Sequence, residues 1–277
     1  MRAVALNTDS RAVSSSPEDV YCVRDNSPVR GNVSEPLRGD PIADERPPVL
    51  GRPSMTVAAD YLTGRRWIAA SLVTAGVLAV LWEVITTSTL TERVVRDTVL
   101  YIVIPGALGF VAGEHLGWRV DRRAVRNTIA LSLFVLPFYL VGSTLPTIRQ
   151  YYPMWHVTPE MGSFVPYAIQ LFLLALATET YYRGLLCVGV RELGFKCVFI
   201  SPIVYMLVHR HSPPIEFVLS GPTDVLFGAV DYNANSILPS VVAHGCGLVL
   251  LDWLVLHDPI LPPDLVIRYL EWLPIPI

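Results

Sequence analysis

Apolar residues dominate the chain from Trp67 onward and recur in seven blocks separated by short polar stretches. A transmembrane helix needs about 20 predominantly apolar residues, within a range of about 17–25. The blocks therefore predict an all-α fold, a polytopic membrane helix bundle of about seven to eight transmembrane helices. The blocks at 98–113, 196–211 and 217–230 are short, so we expect them to extend into their flanks, to tilt or to be buried in the bundle. The predicted spans lie near residues 67–87, 98–113, 128–145, 164–190, 196–211, 217–230 and 236–256.

Composition agrees with a membrane setting. The 277 residues are 52% hydrophobic and only 16% charged, whereas a soluble domain carries about 25% charged residues. The formal net charge of -3 argues against a nucleic-acid partner. The four cysteines have no spacing typical of a zinc knuckle or a CxxC pair, and we expect no cofactor and no metal.

The chain divides into four regions by composition. Residues 1–60 are rich in Pro, Ser and charged residues and predict a disordered N-terminal segment without the pattern of a signal peptide. Residues 61–160 are interpreted as accessory transmembrane helices, and residues 161–258 as a core that carries the chemical motifs. Residues 259–277 are amphipathic and interrupted by proline, which favours an interfacial C-terminal tail.

The distribution of basic residues predicts the orientation, because cytoplasmic loops are enriched in Arg and Lys. Alternate loops carry different numbers of these residues, which predicts a cytoplasmic N-terminus. The chain is Arg-rich with a single Lys, and we expect it to reside in a bacterial inner (cell) membrane. The loops predicted to be cytoplasmic contain Arg65, Arg66, Arg119, Arg122, Arg123, Arg126, Arg191 and Lys196, and the opposite loops contain Arg93, Arg96, Arg149 and Arg210.

Four of the ionisable residues inside the apolar blocks are candidates for a site, because a charge at such a position is costly and usually marks a functional site. Glu179 and Arg183 are four residues apart and can pair on one helix face. Glu179 lies 14 residues before the turn at Leu193 and His209 lies 16 residues after it, so both are roughly 20–25 Å from that turn. We therefore expect Glu179 to face His209, with His244 somewhat shallower, at a depth of roughly 12 Å.

A Glu and a His in a mostly dry cavity suit the activation of water by general-base catalysis. A second His can donate a hydrogen bond to the oxyanion that develops when an amide is attacked. We therefore predict amide hydrolysis in or beside the membrane. Glu179 and His209 would activate water, Arg183 would hold Glu179, and His244 would stabilise the oxyanion.

The same residues form three motifs in a defined order. They read Thr178-Glu179-Thr-Tyr-Tyr-Arg183, Tyr205-Met-Leu-Val-His209 and His244-Gly-Cys-Gly-Leu248. This region, roughly residues 160–256, resembles the CAAX prenyl protease and bacteriocin-processing (CPBP, Abi-type) family of intramembrane glutamic proteases. The family pattern is Glu-Glu-x-x-x-Arg, then Phe-x-x-x-His, then His-x-x-x-Asn.

Two positions depart from that pattern. Thr178 stands where the family has its first Glu, which the resemblance implies is the catalytic carboxylate, and Leu248 stands where it has Asn. Asp252 lies two turns beyond His244 on the same face and is a candidate polar partner. Thr178 and Tyr205 are further candidate supporting residues.

The leading prediction is an intramembrane endopeptidase that cleaves near the C-terminus of a membrane-embedded or lipid-anchored protein or peptide. By resemblance, the substrates include prenylated CAAX tails, bacteriocin-like peptides and C-terminal sorting tails. The alternative is a catalytically degenerate member of the family that acts in binding, immunity or regulation. A zinc site built from Glu179, His209, His211 and His244 and a transporter with a proton-relay Glu rank lower.

Overall fold

The computed structural model describes residues 62–274, and these residues form a bundle of helices with no strand among them. The all-α membrane bundle predicted from the sequence is confirmed. The predicted disordered segment, residues 1–60, lies outside the described residues. The helices are α1 Arg65–Val84, α2 Leu90–Asp97, α3 Ile104–Ala112, α4 Arg122–Gly142, α5 Pro146–Tyr151, α6 Met161–Glu179, α7 Ser201–Val208, α8 Pro214–Ala234, α9 Leu238–Val255 and α10 Pro263–Leu270.

Tighter and wider helical turns extend several of these elements. A π-helical segment, Thr98–Val103, joins α2 to α3. A second π-helical segment, Thr180–Val188, continues α6, and all nine of its residues are buried. 3-10 turns at Arg191–Phe199 and His209–His211 flank α7, and the first contains a kink at Gly194, where φ is 67°.

Within residues 62–274, six helical stretches are long and apolar enough to cross a membrane. The short blocks predicted at 98–113 and 196–211 do extend into their flanks, as the stretches Leu90–Ala112 and Arg191–His211. Helix α8 has 21 residues but contains three acidic side chains, Glu216, Asp224 and Asp231. Helix α8 is therefore the seventh long helix of the described bundle and the one with the most acidic side chains. The six apolar stretches are Arg65–Val84, Leu90–Ala112, Arg122–Gly142, Met161–Val188, Arg191–His211 and Leu238–Val255.

Helix α9 packs closely against α4 and α6 because it has glycine where its neighbours have aromatic rings. A Cβ atom at Gly247 would lie 2.1 Å from the ring of Tyr139 on α4, and one at Gly245 would lie 2.7 Å from the ring of Phe172 on α6. Glycine at these two positions lets the backbone of α9 approach both rings. His244 lies next to Gly245 on α9. The close packing of α9 against α4 and α6 therefore brings His244 into the middle of the bundle.

The loop between α3 and α4 fixes the start of α9. The backbone N–H of Ile237 donates to the carbonyl of Gly117 at 3.0 Å, and the hydroxyl of Ser236 donates to the carbonyl of Arg119 at 2.6 Å. The indole of Trp118 donates to Thr180 Oγ1 at 3.2 Å. These bonds connect the two residues that precede α9 to the first residue of the π-helical segment that follows Glu179.

Candidate functional site

A network of buried charged groups connects α6, its π-helical continuation, α8 and α9. Glu179 Oε1 lies 2.5 Å from Nδ1 of His244, and Glu179 Oε2 lies 3.0 Å from Nε of Arg183. Arg183 Nη2 lies 2.8 Å from Asp224 Oδ1 on α8. The structure therefore contains the Glu179–Arg183 pair expected from their spacing, and the guanidinium links that pair to a second carboxylate.

Serine hydroxyls complete the network on α8. Ser201, the first residue of α7, donates to Asp224 Oδ2. Ser240 on α9 donates to Asp231 through its hydroxyl at 2.5 Å and through its backbone N–H at 3.2 Å. Buried carboxylates need such partners, because an unpaired polar group in an apolar interior is costly.

The sequence analysis did not identify the three acidic residues of α8. Their positions, Glu216, Asp224 and Asp231, are spaced by eight and seven residues. Two helical turns span about seven residues, so this spacing keeps the three side chains near one face of the helix. The sequence signal that could have revealed these residues is the recurrence of acidic side chains at helical spacing within an apolar block.

A cavity of about 430 Å³ opens beside the network. His209, His244, Thr178 and Glu216 line it together with many aromatic side chains, whereas Glu179, Arg183 and Asp224 do not. The side chain of His244 is 15% exposed and that of Glu179 is 0% exposed. The cavity therefore meets the imidazole of His244, and the carboxylate of Glu179 lies behind that ring.

The expected pairing of Glu179 with His209 is not what the structure contains. The histidine partner of Glu179 is His244, and the acidic neighbour of His209 is Glu216, with Nε2 and Oε1 3.7 Å apart. A count of residues along two helices gives the depth of each side chain but not the direction in which it points. The face of α6 that carries Glu179 packs against α9. The rotation of α6 about its own axis could not be predicted from the depth of Glu179 in the membrane.

His209 is held at the end of α7 by its neighbours on the same helix. Its Nδ1 lies 2.9 Å from the carbonyl oxygen of Tyr205, and its ring packs on the ring of Tyr205 with centroids 4.2 Å apart. The guanidinium carbon of Arg183 lies 5.0 Å from the centre of the same tyrosine ring. Tyr205 therefore separates the cation of the buried network from the cavity histidine.

The remaining predicted residues occupy different positions. Thr178 lines the cavity, and its hydroxyl donates to the backbone carbonyls of Leu174 and Ala175 at 3.1 and 3.0 Å. Leu248 also lines the cavity. Asp252, expected as a partner of His244, instead accepts a 2.5 Å hydrogen bond from the hydroxyl of Tyr167 on α6.

No group of three or more His, Cys, Asp and Glu side chains within residues 62–274 is arranged to hold a metal ion. The candidate site of the described chain therefore consists of two cavity-facing histidines, one cavity-facing carboxylate and the buried charge network behind His244.

Comparison with known proteins agrees with the motifs. Residues 160–248 match the family model described as type II CAAX prenyl endopeptidase Rce1-like. The match covers about a third of the chain and includes Glu179, Arg183, His209 and His244. The resemblance predicted from the sequence is confirmed, and it supports a CAAX-type intramembrane protease kind of function. No curated protein and no solved structure matches the chain.

Proposed function

We propose that this protein, which contains an Rce1-like segment, is an intramembrane endopeptidase that cleaves near the C-terminus of a membrane-associated protein or peptide. The observation that carries the proposal is the pair of histidines, His209 and His244, lining one cavity. Behind His244 lies a network of fully buried charged groups. Burying such groups costs free energy, and ionisable residues inside a membrane usually mark a functional site.

His244 is suited to stabilise an oxyanion. Nδ1 donates to the carboxylate of Glu179, which leaves Nε2 as the other polar atom of the ring. Arg183 carries one positive charge, and the carboxylates of Glu179 and Asp224 that it contacts carry one negative charge each. A protonated His244 makes these four groups neutral together, and its Nε2–H can then donate to the oxygen of an attacked carbonyl.

His209 is suited to accept a hydrogen bond from the attacking water. A carbonyl oxygen can only accept, so Nδ1 of His209 carries the hydrogen that meets Tyr205. In the neutral ring Nε2 is then an acceptor, and it lies on the side of Glu216. The proton that leaves the water moves toward this end of the cavity.

The proposed reaction is hydrolysis of a peptide bond. The water oxygen bonds to the carbonyl carbon, a base at the His209 end of the cavity takes one water proton, and His244 stabilises the oxyanion. When the carbon–nitrogen bond breaks, the same proton passes to the departing amine. One water is consumed, and a new carboxyl group and a new amine are released.

The position of the cavity bears on the substrate. Tyr151, Tyr152 and Met154 line it, and they belong to the loop region between α4 and α6, on the side opposite to the arginine-rich loops. With a cytoplasmic N-terminus in a bacterial cell membrane, the cavity faces the exterior. Bacteriocin-like peptides and C-terminal sorting tails, which reach that side, therefore suit the site better than prenylated tails in the cytoplasm.

One observation favours a second candidate, a binding protein that kept the fold and lost the chemistry. Thr178 and Leu248 line the cavity at the two positions where the family pattern has a catalytic acid and an amide. Such a protein would hold a peptide in the cavity without cutting it.

One experiment separates the two candidates. The full chain is reconstituted in lipid vesicles with three probes: a farnesylated peptide ending in a CAAX sequence, the same peptide without the lipid, and a transmembrane peptide with a polar C-terminal tail. Products are identified by mass spectrometry for the wild type, His209→Ala, His244→Ala and the control His156→Ala, whose side chain is exposed. We expect wild type and control to cut and the other two to fail. Identical products from all four proteins, or binding without cutting by the wild type, would contradict the endopeptidase.

A further inference from the structure

We propose that Glu216 is the carboxylate that, with His209, binds and deprotonates the attacking water, in place of the acid that is absent at Thr178. The inference rests on the proposed endopeptidase function and assigns it a residue outside the three motifs. Glu216 belongs to α8, whereas the motif acids belong to α6.

Access to the cavity separates Glu216 from the other acidic residues of the site. Among the described residues that line the cavity, Glu216 is the only one with a carboxylate. Its side chain is 23% exposed, whereas the side chains of Glu179 and Asp224 are 0% exposed and face Arg183. A general base must reach the proton that it removes, and of these three carboxylates only that of Glu216 meets the cavity.

The geometry beside His209 suits a shared water. Oε1 of Glu216 lies 3.7 Å from Nε2 of His209, which is too far for a direct hydrogen bond. A water oxygen about 2.8 Å from each acceptor bridges this gap. Both atoms accept, so such a water donates its two hydrogens to them, and its oxygen lone pairs remain for a substrate carbonyl.

The carboxylate of Glu216 is also held in place. The hydroxyl of Tyr152 lies 3.1 Å from Oε1 and 3.1 Å from Oε2. Tyr152 is itself buried, so the two groups form a fixed pair at the wall of the cavity. A base that is positioned before the substrate arrives needs no reorganisation during the reaction.

No Arg or Lys side chain of the described residues forms an ion pair with Glu216; its histidine neighbour, His209, is 3.7 Å away. By contrast, Glu83 pairs with Arg210 and Glu179 pairs with Arg183. The remaining cavity-lining cation, Arg93, contacts Asp97 at 2.6 Å. Without a paired Arg or Lys, the Glu216 carboxylate keeps lone pairs, besides those that accept from Tyr152, for a proton from water.

The proton balance is simple. As the water oxygen bonds to the carbonyl carbon, one water proton moves to the Glu216 carboxylate and the second stays hydrogen-bonded to His209 Nε2. The resulting carboxylic acid gives its proton to the amide nitrogen as the carbon–nitrogen bond breaks. Glu216 ends the cycle ionised, and no oxidant, reductant or metal takes part.

The test uses Glu216→Gln, which keeps an oxygen that can accept from Tyr152 but cannot take a proton. Glu83→Gln is the matched control, because Glu83 lies outside the cavity and pairs with Arg210, the residue next to His209. In vesicles with the probe that the wild type cuts, we expect Glu216→Gln to lower kcat about 100-fold or more with KM changed less than about threefold. Glu216→Asp should recover part of kcat, and Glu83→Gln should match the wild type.

Two results contradict the proposals in distinguishable ways. If Glu216→Gln keeps kcat within about threefold of the wild type while His244→Ala is inactive, Glu216 is not the base and the endopeptidase stands. If the wild type cuts none of the probes, or His244→Ala cuts as well as the wild type, both proposals fail. The thermal unfolding midpoint of Glu216→Gln in detergent should equal that of the control, and a large fall would assign Glu216 a structural role instead.

Discussion

The carboxylate of Glu179 lies behind the imidazole of His244, with Oε1 2.5 Å from Nδ1 and no exposed surface of its own. An acid in this position acts on the reaction through the histidine. It accepts the hydrogen of Nδ1 and so fixes the direction of the ring. In our proposal the motif acid, Glu179, is therefore a positioning residue. The side chains that line the cavity carry out the reaction.

Removing the charge of Glu179 should therefore slow catalysis without weakening substrate binding. We expect Glu179→Gln to lower kcat about 10–100-fold, the range found when the hydrogen-bond partner of a metal-bound histidine is changed, with little change in KM. The measurement is steady-state kinetics in vesicles, with the exposed Glu160→Gln as control. A rise in KM at constant kcat would mean that Glu179 shapes the binding site instead.

Arg183 should be the side chain whose loss costs the most stability. Its guanidinium contacts Glu179 through Nε and Asp224 through Nη2, so Arg183→Met leaves two buried carboxylates without a cation. Breaking a buried pair in this way costs about 3–5 kcal/mol. The exposed pair of Arg210 and Glu83 provides the control, because solvent screens this pair and Arg210→Met should unfold close to the wild-type temperature. Thermal unfolding in detergent is measured for Arg183→Met and Arg210→Met. Equal decreases in unfolding temperature would contradict the role assigned to Arg183.

Lysine should not replace Arg183. A lysine ammonium is a single compact charge and cannot reproduce the two contacts that the planar guanidinium makes in different directions. We expect Arg183→Lys to unfold at a lower temperature than the wild type and to recover only part of the loss seen in Arg183→Met. If Arg183→Lys unfolds at the wild-type temperature, a positive charge alone holds Asp224, and the two contacts of the planar guanidinium are not needed.

The close contact between α9 and α4 predicts a second stability effect. A methyl group at Gly247 would meet the ring of Tyr139 at 2.1 Å, and Tyr139 lines the cavity. We expect Gly247→Ala to cost about 1–3 kcal/mol through overpacking and to reduce peptide cleavage. Gly76→Ala on α1 is the control, since a Cβ there would meet nothing within 4 Å. If both variants unfold at the same temperature, the packing of α9 on α4 is looser than described.

The orientation can be tested with single cysteines in a background in which the four native cysteines, Cys22, Cys187, Cys197 and Cys246, are replaced by serine. Glu160 and Lys196 are both exposed and lie at opposite ends of the helical stretch Met161–Val188 and its connection to α7. With a cytoplasmic N-terminus, a membrane-impermeant thiol reagent added to intact cells should label Glu160→Cys. Lys196→Cys should react only after permeabilisation. The reverse pattern would place the cavity opening in the cytoplasm and would favour substrates on that side.

Much of the fold could be predicted because apolar length and periodicity determine it. The seven blocks correspond to the long helices, and Glu179 with Arg183 forms the pair expected at four-residue spacing. The partner of Glu179 could not be predicted, because helix rotation depends on packing at residues such as Gly245 and Gly247. The roles of Glu216 and Asp224 could not be predicted from the family motifs, which place no acidic residue on α8, although the acidic residues of that helix recur at helical spacing.

The polarity of α8 has a consequence for how the protein is made. The partners of its acidic residues lie elsewhere: Asp224 needs Arg183, which precedes it, whereas Asp231 needs Ser240, which is synthesised later. A helix with three acidic side chains enters lipid poorly by itself. Helix α8 should therefore wait at the translocon until α9 emerges and should leave it together with that helix. A nascent chain arrested before Ser240 would carry an uncompensated acid and would be a target for membrane quality control.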